Sequence, residues 1–453
     1  MRERCASVPF VPVVGVIEMT RFDEAFDRLT GLTNWETKKP GSRHRIDLSG
    51  THGLLDRLGN PERRLRLVAQ VAGSKGKGTT TALLRGLATC SGMRSATYMS
   101  PHVVDPRERI LVDGEPVDED VFGNAVSRVA EVLVPEQTWY EAYTAVAILC
   151  FAALDIELTV LEVGLGGRLD STTVVPKDVC AITSIELEHT HVLGDTIGAI
   201  AREKAGILRP GVPCMSGCVD EADAVITEVA RSCGAPLRRL GSDFDFRVAG
   251  RTDRGLELEL RGFEGLDHLE VPFRATVHAR SFTLALAMFE ALRPGVAVEL
   301  LAGGRDLDFL RKALPPGRFD IVQEDPPIVV DGAHTDASLS TIASELAAAW
   351  PDRRFDLVFG IAEGKRFERG LGEVLKLVDR ARVVPLSGKT SVEPAELQRM
   401  IAAKGVEVRI ASSVAAALED LEPVARDGGL CVTGSLYAAG DALRVLRART
   451  LSQ

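Results

Sequence analysis

The sequence predicts an α/β protein of more than one domain, with mostly parallel sheets. Short apolar runs rich in β-branched residues, such as LTVLEV at 158–163, alternate with longer helical patterns, such as DASLSTIASELAAAW at 336–350. Parallel strands need helical crossovers of this kind, whereas antiparallel strands can be joined by short turns. A chain of 453 residues also exceeds the usual size of a single domain.

The predicted elements follow in order along the chain. Strands are expected at RLVAQVA, LTVLEV, VCAITSI, PIVV, DLVFG and GLCVTGS, and helices at TTALLRGLATCSG, YEAYTAVAILCFAAL, DTIGAIAREKAGIL and DASLSTIASELAAAW. Residues 235–275 alternate apolar with polar around glycine turns, which predicts an antiparallel excursion, and a helix around 280–293 follows. Proline and glycine then indicate a linker. We expect domains at 1–298 and 319–453, joined by a linker at 299–318.

Composition excludes several classes of function. The net charge of −10 argues against a nucleic-acid surface. The longest apolar run, AVAILCFAAL at 145–154, is too short to cross a membrane. Eight scattered cysteines without a C-x-x-C pair favour a reduced compartment, and VPFVPVVGVIEM lacks the features of a signal peptide. We therefore expect a cytoplasmic protein that binds neither membrane nor nucleic acid.

The stretch VAGSKGKGTTT at 71–81 predicts a phosphate-binding loop between a strand and a helix. The general pattern G-x-x-x-x-G-K-[ST] places a hydroxyl residue directly after the lysine. Here Gly78 follows Lys77, and the hydroxyl arrives at Thr79. Glycines let backbone N–H groups point at an anion, and the helix expected to begin near Thr79 adds its positive end. The loop predicts nucleotide binding, with Lys77 on the phosphates and Thr79 on Mg²⁺.

Further strand ends also carry groups suited to chemistry. Glu162 lies near the end of LTVLEV and is followed by GLGGRLD, while ELEHTHVLGD follows VCAITSI and DGAHTD follows PIVV. Ligands of open parallel sheets bind beyond the carboxyl ends of the strands, so a shared site explains these positions together. Glu162 is a candidate Mg²⁺ ligand, or a glutamate at a frayed strand end that reaches water. His189, His191 and His334 are candidates whose structural alternative is a satisfied polar residue.

Lys204 shares the apolar stripe of a predicted helix. Asp195 can cap this helix, and the stripe places Lys204 on the side that will be buried. The stripe consists of Ile197, Ile200, Ala201, Lys204 and Leu208. A buried lysine either meets an anion or loses its proton, whereas a snorkelling lysine buries only its stem. Spacing alone leaves both interpretations open.

Taken together, these motifs resemble those of the dihydrofolate synthase and folylpolyglutamate synthase family, within the wider Mur ligase group. The matching stretches run in order over nearly the whole chain and include VAGSKGKGTT, YMSPHVVDPRERI, TWYEAYTA, LEVGLGGRLDSTTV, HTHVLGDTIGAIAREKAGIL, PPGRFDIV, VVDGAHTDAS and VTGSLYAAGD, with LTNWET near the N-terminus. The resemblance implies an N-terminal P-loop ATPase domain and a smaller Rossmann-like C-terminal domain. It also implies ATP-dependent joining of glutamate to dihydropteroate or a folate through an acyl phosphate.

The resemblance further implies a set of site residues, two Mg²⁺ ions and a monomeric enzyme. The implied ATP contacts are Gly73, Ser74, Lys75, Gly76, Lys77, Gly78, Thr79, Thr80, Arg318, Asp331 and His334. The implied metal positions are Thr79, Ser100, Glu162, His189 and Lys204, the lysine being carbamylated. The implied catalytic residues are Lys77, Lys204 and His189, and the implied pterin or folate contacts are Thr138, Tyr140 and Asp170.

The sequence departs from the family pattern at several positions. Lys75 and Thr335 are closer to eukaryotic members, Thr173 replaces a usual asparagine, and 279–282 lacks the usual Gln and Asn after His278. These departures keep open a Mur-type ligase with a different acceptor or amino acid. Two further hypotheses are a P-loop nucleotide switch and a non-catalytic binding module. The displaced hydroxyl argues against the switch, and Glu162, His189 and Lys204 together argue against the binding module.

Overall fold

The structure is a computed structural model that describes residues 21–32, 47–102, 105–302, 306–421 and 428–450. The segment VPFVPVVGVIEM and all of LTNWET except Leu32 lie outside the described residues. The described residues form two large, mostly parallel sheets and a small antiparallel sheet. The predicted α/β class with two sheet-based parts is confirmed. Of the helices in the described part of the chain, none combines the length and the apolar composition needed to span a bilayer.

The first sheet has eight strands in the order β4-β3-β2-β5-β1-β6-β7-β8. Its strands are β1 Leu67–Ala72, β2 Ser95–Tyr98, β3 Ile110–Val112, β4 Glu115–Pro116, β5 Leu158–Glu162, β6 Val179–Ile182, β7 Cys214–Ser216 and β8 Leu237–Arg239. In the part β2-β5-β1-β6-β7-β8, all neighbouring strands pair in parallel. At the other edge, β3 pairs antiparallel with both β2 and β4. The carboxyl ends of β1, β5 and β6 therefore lie side by side at the middle of the sheet.

Helices cover both faces of this sheet. They are α1 Arg21–Thr30, α2 Ser49–Arg57, α3 Lys77–Cys90, α4 Glu119–Val132, α5 Trp139–Ala153, α6 Thr190–Leu193, α7 Ile197–Ala205, α8 Asp220–Cys233, α9 Thr276–Leu292, α10 Val296–Ala302 and α11 Asp308–Ala313. Ala69 and Val71 pack on the side of α3 and α9, and Val68 packs on the side of α4 and α5. Successive strand residues point to opposite faces, so both faces of β1 are buried.

The predicted antiparallel excursion is present as a three-stranded sheet. It consists of β9 Asp245–Arg251, β10 Leu256–Arg261 and β11 His268–Val271, in the order β11-β10-β9. Strand β10 has one buried face, formed by Leu256, Leu258 and Leu260. These residues alternate with more exposed ones, as expected for a strand with one solvated face. The helix predicted around 280–293 begins earlier, at Thr276.

The second sheet has six strands in the order β12-β13-β17-β14-β15-β16. Its strands are β12 Asp320–Glu324, β13 Pro327–Val330, β14 Phe355–Phe359, β15 Val378–Val383, β16 Glu407–Ile410 and β17 Gly429–Thr433, and its helices are α12 Asp336–Ala349, α13 Glu368–Leu375, α14 Pro394–Ala402, α15 Val414–Leu421 and α16 Leu436–Thr450. Only β12 pairs antiparallel. The boundaries proposed at 298 and 318 remain a prediction.

The two large sheets are connected through the first turn of α9. The Glu345 carboxylate, on α12, accepts hydrogen bonds from the backbone N–H groups of Thr276 at 2.8 Å and Val277 at 3.1 Å. His278 Nε2 lies 2.9 Å from the carbonyl oxygen of Arg318, so Nε2 carries the proton and donates it. A carboxylate at a helix N-terminus is stabilised by the unpaired N–H groups and the helix dipole. These bonds join the second sheet to the segment that leads into α9.

Candidate active site

The glycine loop is fastened to the end of β6. Ser74 N donates to Ser184 O at 2.8 Å, and Lys75 N donates to Ser184 Oγ at 3.0 Å. Gly73 has a φ of +146°, and a Cβ there would lie 1.9 Å from Thr183 Oγ1, so a side chain is excluded on both conformational and steric grounds. The loop is therefore a fixed backbone cradle.

Helix α3 begins at Lys77, two residues before the predicted start. Gly78 consequently lies in the first turn of the helix, where backbone N–H groups have no helical partner. A Cβ on Gly78 would lie 3.5 Å from Glu162 Oε2. The inserted glycine thus leaves the space beside this carboxylate free of a side chain. Lys77 Nζ donates to the carbonyl oxygens of Gly73 at 2.9 Å and Ser74 at 3.4 Å.

Glu162 is a buried carboxylate at the end of β5. It is 5% exposed and lies opposite Val71 in the parallel register, so the interpretation of a frayed end that reaches water is wrong. Ser100 N donates to its Oε2 at 3.0 Å, which brings these two predicted metal positions together. Burial raises the pKa of Glu162, and the nearby charge of Lys77 opposes this shift.

Lys204 is buried against the glycine loop, and the interpretation of a snorkelling lysine is wrong. Its side chain is 3% exposed, and its Nζ donates to Gly73 O at 2.8 Å and to Glu188 Oε1 at 3.1 Å. Burial, together with the charge of Lys77, lowers the pKa of Lys204 to about 8. The helix cap is Thr196, whose Oγ1 accepts from Ala199 N at 3.1 Å. Asp195 lies one residue too early for the predicted capping role.

Glu188 is a site residue that the sequence reasoning missed. Burial alone would raise the pKa of Glu188, but the positive charges of Lys204 and Lys77 lower it overall. Glu186, on the same segment, has a pKa that burial raises. The sequence ELEHTH at 186–191 indicates this residue, because it places two carboxylates after β6 and directly before the candidate histidines.

His189 and His191 differ in their surroundings. His189 precedes α6 with a φ of +47°, an uncommon conformation for a non-glycine residue. Although the residue as a whole is exposed, neighbouring groups partly desolvate its ring, which lowers its pKa; the charges of Lys365 and Lys204 act in the same direction. These influences place His189 within the same electrostatic cluster as the buried lysine. The rings of His189 and His191 are 6.4 Å apart.

Three predicted ATP contacts lie around the end of β13. Asp331 accepts from Phe319 N and Ala333 N, both at 2.7 Å, which ties the residue after Arg318 to this strand end. His334 Nδ1 lies 2.8 Å from Gly332 O and must donate to it, so Nε2 is the free ring nitrogen. Burial, followed by the charge of Lys75, lowers the pKa of His334 to about 4.

The structure shows what surrounds Lys75 and Thr335, two positions that depart from the family pattern. The charge of Lys75 lowers the pKa of His334 and opposes the burial shift of Glu186, so Lys75 lies between groups of both sheets. Thr335 is the N-cap of α12 and forms a reciprocal capping box with Ser338. The side chain at 335 is therefore used to begin the helix.

The departures in 279–282 fall mostly on the core. Ala279 and Phe282 are fully buried, and the Phe282 ring packs against Phe273 with centroids 6.0 Å apart. Ser281 faces the glycine loop, since a Cβ on Gly76 would lie 3.3 Å from its Oγ. Among these positions, Ser281 is therefore the one placed to influence the loop.

The three predicted pterin residues lie near one another but use their polar groups locally. Thr138 caps α5 in a reciprocal capping box with Glu141. Asp170 accepts from Gly164 N at 2.9 Å, Leu165 N at 3.0 Å and Thr172 N at 3.0 Å. Tyr140 covers Gly164, where a Cβ would lie 2.5 Å from the tyrosine hydroxyl. Asp170 and Thr138 thus fix the conformation of the backbone around them.

The donors near Glu162 fit a divalent cation that is held jointly with phosphate. The described residues contain no group of three or more His, Cys, Asp or Glu side chains placed to hold a metal. A site here therefore depends on single carboxylates, hydroxyl groups and ligand oxygens, which Mg²⁺ accepts. Glu162 meets the main requirement, because a buried carboxylate whose pKa is raised by burial is stabilised by a cation.

Comparison with known proteins agrees with this geometry. The family described as "Mur ligase, glutamate ligase domain" matches residues 317–436. The dihydrofolate synthase/folylpolyglutamate synthase of Escherichia coli is 31% identical, over 84% of this chain and 87% of that protein. A probable bifunctional folylpolyglutamate synthase/dihydropteroate synthase of Haloferax volcanii is 31% identical over 93% of this chain, which spans only 50% of that longer relative.

Solved structures show the same fold. Escherichia coli FolC in complex with DHPP and ADP superposes with a TM-score of 0.78 at 28% identity, covering 95% of this chain and 98% of that one. The Yersinia pestis folylpolyglutamate synthase/dihydrofolate synthase complexed with AMPPNP and Mn gives 0.78 at 26% identity, covering 94% and 98%. The resemblance drawn from the motifs is confirmed. The chain belongs to the dihydrofolate synthase/folylpolyglutamate synthase family.

Proposed function

We propose that this protein is an ATP-dependent ligase that joins the α-amino group of L-glutamate to a carboxylate of dihydropteroate, of a folate, or of both. The observation that carries the proposal is the meeting of two lysines at one backbone atom. Lys77 Nζ and Lys204 Nζ lie 2.9 Å and 2.8 Å from Gly73 O. A nucleotide switch needs only Lys77, at the phosphates. A ligase must also stabilise charge on a second substrate that lies beside the phosphates.

Activation of the acceptor is the first chemical task. A carboxylate is a poor electrophile until one of its oxygens becomes part of a good leaving group. The acceptor carboxylate attacks the γ-phosphorus of ATP, ADP leaves, and an acyl phosphate forms. Glutamate nitrogen then attacks the acyl carbon, and inorganic phosphate departs with the original carboxylate oxygen. The first turn of α3 and Lys77 are suited to binding the phosphates, because they offer N–H groups and a positive charge.

The metal positions keep the roles implied by the family. Thr79, Ser100 and Glu162 would hold one Mg²⁺, and His189 with carbamylated Lys204 would hold a second; the bound ions would neutralise phosphate charge. Carbamylation joins the neutral Lys204 amine to CO₂ and releases a proton. A pKa lowered to about 8 leaves more of the neutral amine than an ordinary lysine has near neutral pH. Glu188 would then lie beside an anion and contribute a further oxygen ligand.

The proposed substrate contacts form two groups, a nucleotide side and an acceptor side. The nucleotide side comprises residues 73–80 with Glu162 and Lys204, extended by Arg318, Asp331 and His334 toward the ribose and phosphates. The acceptor side comprises 138–140 and 164–173, with Tyr140 as the wall beside the pterin. We further propose the domain division 1–298, 299–318 and 319–453, and a monomer acting in the cytoplasm.

Direct assay of both acceptors tests the proposal. The protein is incubated with ATP, Mg²⁺ and labelled glutamate, with dihydropteroate and a reduced folate offered separately. We expect labelled amide and ADP in equal amounts with at least one acceptor. A Lys77→Ala variant purified in parallel controls for contaminating ligase. Amide from neither acceptor would contradict the folate assignment and favour another Mur-type acceptor, while ADP without any acceptor would favour a nucleotide hydrolase.

A further inference from the structure

A buried polar network lies beneath the acceptor side of the cleft. Gln70 is fully buried in the middle of β1, the strand that leads into the glycine loop. Its Nε2 donates to Thr172 Oγ1 at 2.8 Å and to Thr173 Oγ1 at 2.9 Å. Its Oε1 accepts from Lys177 Nζ. Thr173, the position that departs from the family asparagine, is therefore part of this network.

The network has a fixed direction from Lys177 to Asp170. A lysine ammonium can only donate and a carboxylate can only accept, so the amide and hydroxyl groups between them have determined orientations. Thr172 Oγ1 donates to Asp170 Oδ1 at 2.6 Å, and Thr173 Oγ1 donates to Gly167 O at 2.7 Å. Each bond requires the next, and buried networks of this kind rigidify the structure around them.

The same network contacts the segment that follows α7. Lys177 Nζ also donates to the carbonyl oxygen of Ile207 at 3.3 Å. The loop that Asp170 organises lies directly on α7, since Arg168 N donates to Glu203 O at 2.8 Å and a Cβ on Gly167 would lie 2.8 Å from the carbonyl oxygen of Lys204. Lys177 therefore bonds directly to β1, through Gln70, and to the segment after α7, through Ile207. It reaches the loop 164–173 only through Gln70.

Lys177 itself has no role in the proposed reaction. It is 8% exposed, and its direct acceptors are an amide oxygen and a backbone carbonyl. Burial lowers its pKa to about 8. Burying a lysine without a directly bonded carboxylate is costly, and an apolar residue of similar size would usually be cheaper. The cost points to a geometric function.

We propose that Lys177 is a positioning residue of the ligase, which acts through Gln70 and Thr172 to hold the loop 164–170 against the helix of Lys204. The inference rests on the proposed function, because it assigns this loop to the acceptor side. The glycine loop is fastened separately, through Ser184, and does not need Lys177. Loss of Lys177 should therefore disturb the acceptor more than ATP.

Kinetics of Lys177→Met separate positioning from mere support. We expect the KM for the acceptor to rise roughly 10- to 100-fold, as for a displacement of about 1 Å in a binding site, with the KM for ATP changed less than about twofold. Lys376→Met is the matched control, because Lys376 is 68% exposed and pairs with Glu373 on α13, far along the chain from the network. An acceptor KM equal to wild type in folded Lys177→Met would overturn the inference.

A double variant distinguishes geometry from folding. Removing both partners of a buried hydrogen bond costs less stability than removing one, so Gln70→Leu with Lys177→Met should regain part of the melting temperature lost in Lys177→Met. Recovery should be incomplete because Gln70→Leu also removes the bonds to Thr172 and Thr173. The acceptor KM should stay raised. If it returned to the wild-type value together with the melting temperature, the network would be packing only, and Lys177 would not be a positioning residue.

Amide hydrogen exchange supplies a readout that does not need turnover. We expect faster exchange in 164–173 of the double variant, with 73–80 unchanged. Unchanged exchange in 164–173 would overturn the inference even if wild type made no amide. A wild-type protein that makes no amide with either acceptor would instead contradict the proposed function, so the two failures are distinguishable.

Discussion

On the nucleotide side of the cleft, Lys77 and Lys204 share the Gly73 carbonyl, and Glu162 accepts a hydrogen bond from the Ser100 backbone. On the acceptor side, the Thr138 hydroxyl is committed to a capping box and the Asp170 carboxylate to several backbone N–H groups. Family motifs on the two sides therefore carry different information. Those of the proposed nucleotide side supply charged groups, and those of the proposed acceptor side supply backbone shape.

This difference leads to different predictions for the two groups of implied site residues. Thr138 and Asp170 are implied pterin contacts, but their polar atoms already have partners within the chain. Their replacement should change the position of the pocket and the stability of the fold. Replacement of Lys204 or Glu162 should change the chemistry and leave the fold less affected. Substitutions of Lys204 and Glu162, compared with substitutions of Asp170 and Thr138, test whether the first group acts in the chemistry and the second in the backbone shape.

Lys204→Ala should have the largest effect on turnover. Loss of the proposed carbamate should lower kcat by roughly 10²- to 10³-fold, the range for removing one preorganised electrostatic group. Short carboxylic acids added to the assay should restore part of the rate by replacing the missing carboxylate-like group. Steady-state kinetics with and without added acid provides the measurement.

Lys204→Arg is the matched control for that prediction. Arginine keeps the positive charge beside Glu188 but does not form a carbamate, so it should be as inactive as alanine and should not respond to added acid. Full activity in either variant would show that the Lys204 carbamate is not needed.

Glu162→Gln should mainly change the metal requirement. The amide oxygen can still accept from Ser100 N, so the fold keeps this bond while the negative charge is lost. The Mg²⁺ concentration for half-maximal rate should rise roughly 100-fold, the upper end of the effect of disturbing residues around a metal. Magnesium titration of the initial rate measures it. An unchanged titration with an unchanged rate would remove Glu162 from the metal site.

Asp170→Asn should affect stability and the acceptor together. The new amide group would face the N–H groups of Gly164 and Leu165, which would lose their acceptor. Buried unsatisfied donors cost about 1–3 kcal/mol each, so the loss of an acceptor for two donors should lower the free energy of unfolding in urea by roughly 2–6 kcal/mol. The acceptor KM should rise while the ATP KM stays near wild type. A higher acceptor KM with wild-type stability would instead indicate direct pterin contact.

Thr138→Ala should have the smallest effect. It removes the N-cap of α5 and should lower the free energy of unfolding by about 1 kcal/mol. Thr138→Ser keeps the capping oxygen and should retain wild-type stability. If both variants lowered acceptor affinity without changing stability, the Thr138 methyl and hydroxyl would belong to the pocket surface, and the proposed division would fail at this residue.

Much of the fold and the nucleotide side could be predicted from the sequence. Strand ends are local signals, and parallel strands bring them to one edge of the sheet, so Glu162 and the glycine loop were assigned without knowledge of pairing. Helical spacing likewise placed Lys204 on a buried face. What it faced could not be predicted, because Glu188 and Gly73 come from other elements.

Several features depended on contacts between distant parts of the chain. The sequence predicted Asp195 as the N-cap of α7, but the N-cap is Thr196. Both residue types can cap a helix, and tertiary packing decides between them. The start of α9 at Thr276 depends on Glu345, which lies 68 to 69 residues away. The proposed role of Lys177 depends on its side-chain bond to Gln70, which lies 107 residues away, and no local pattern around VVPKD indicates it.

Transfer of oxygen from the acceptor to phosphate is the signature of amide formation through an acyl phosphate. The acceptor is supplied with its carboxylate enriched in ¹⁸O, and both products are analysed by mass spectrometry after reaction with ATP and glutamate. We expect an ¹⁸O atom to leave the acceptor and to be recovered in inorganic phosphate, in proportion to the amide formed. Amide formation with unlabelled phosphate would contradict it.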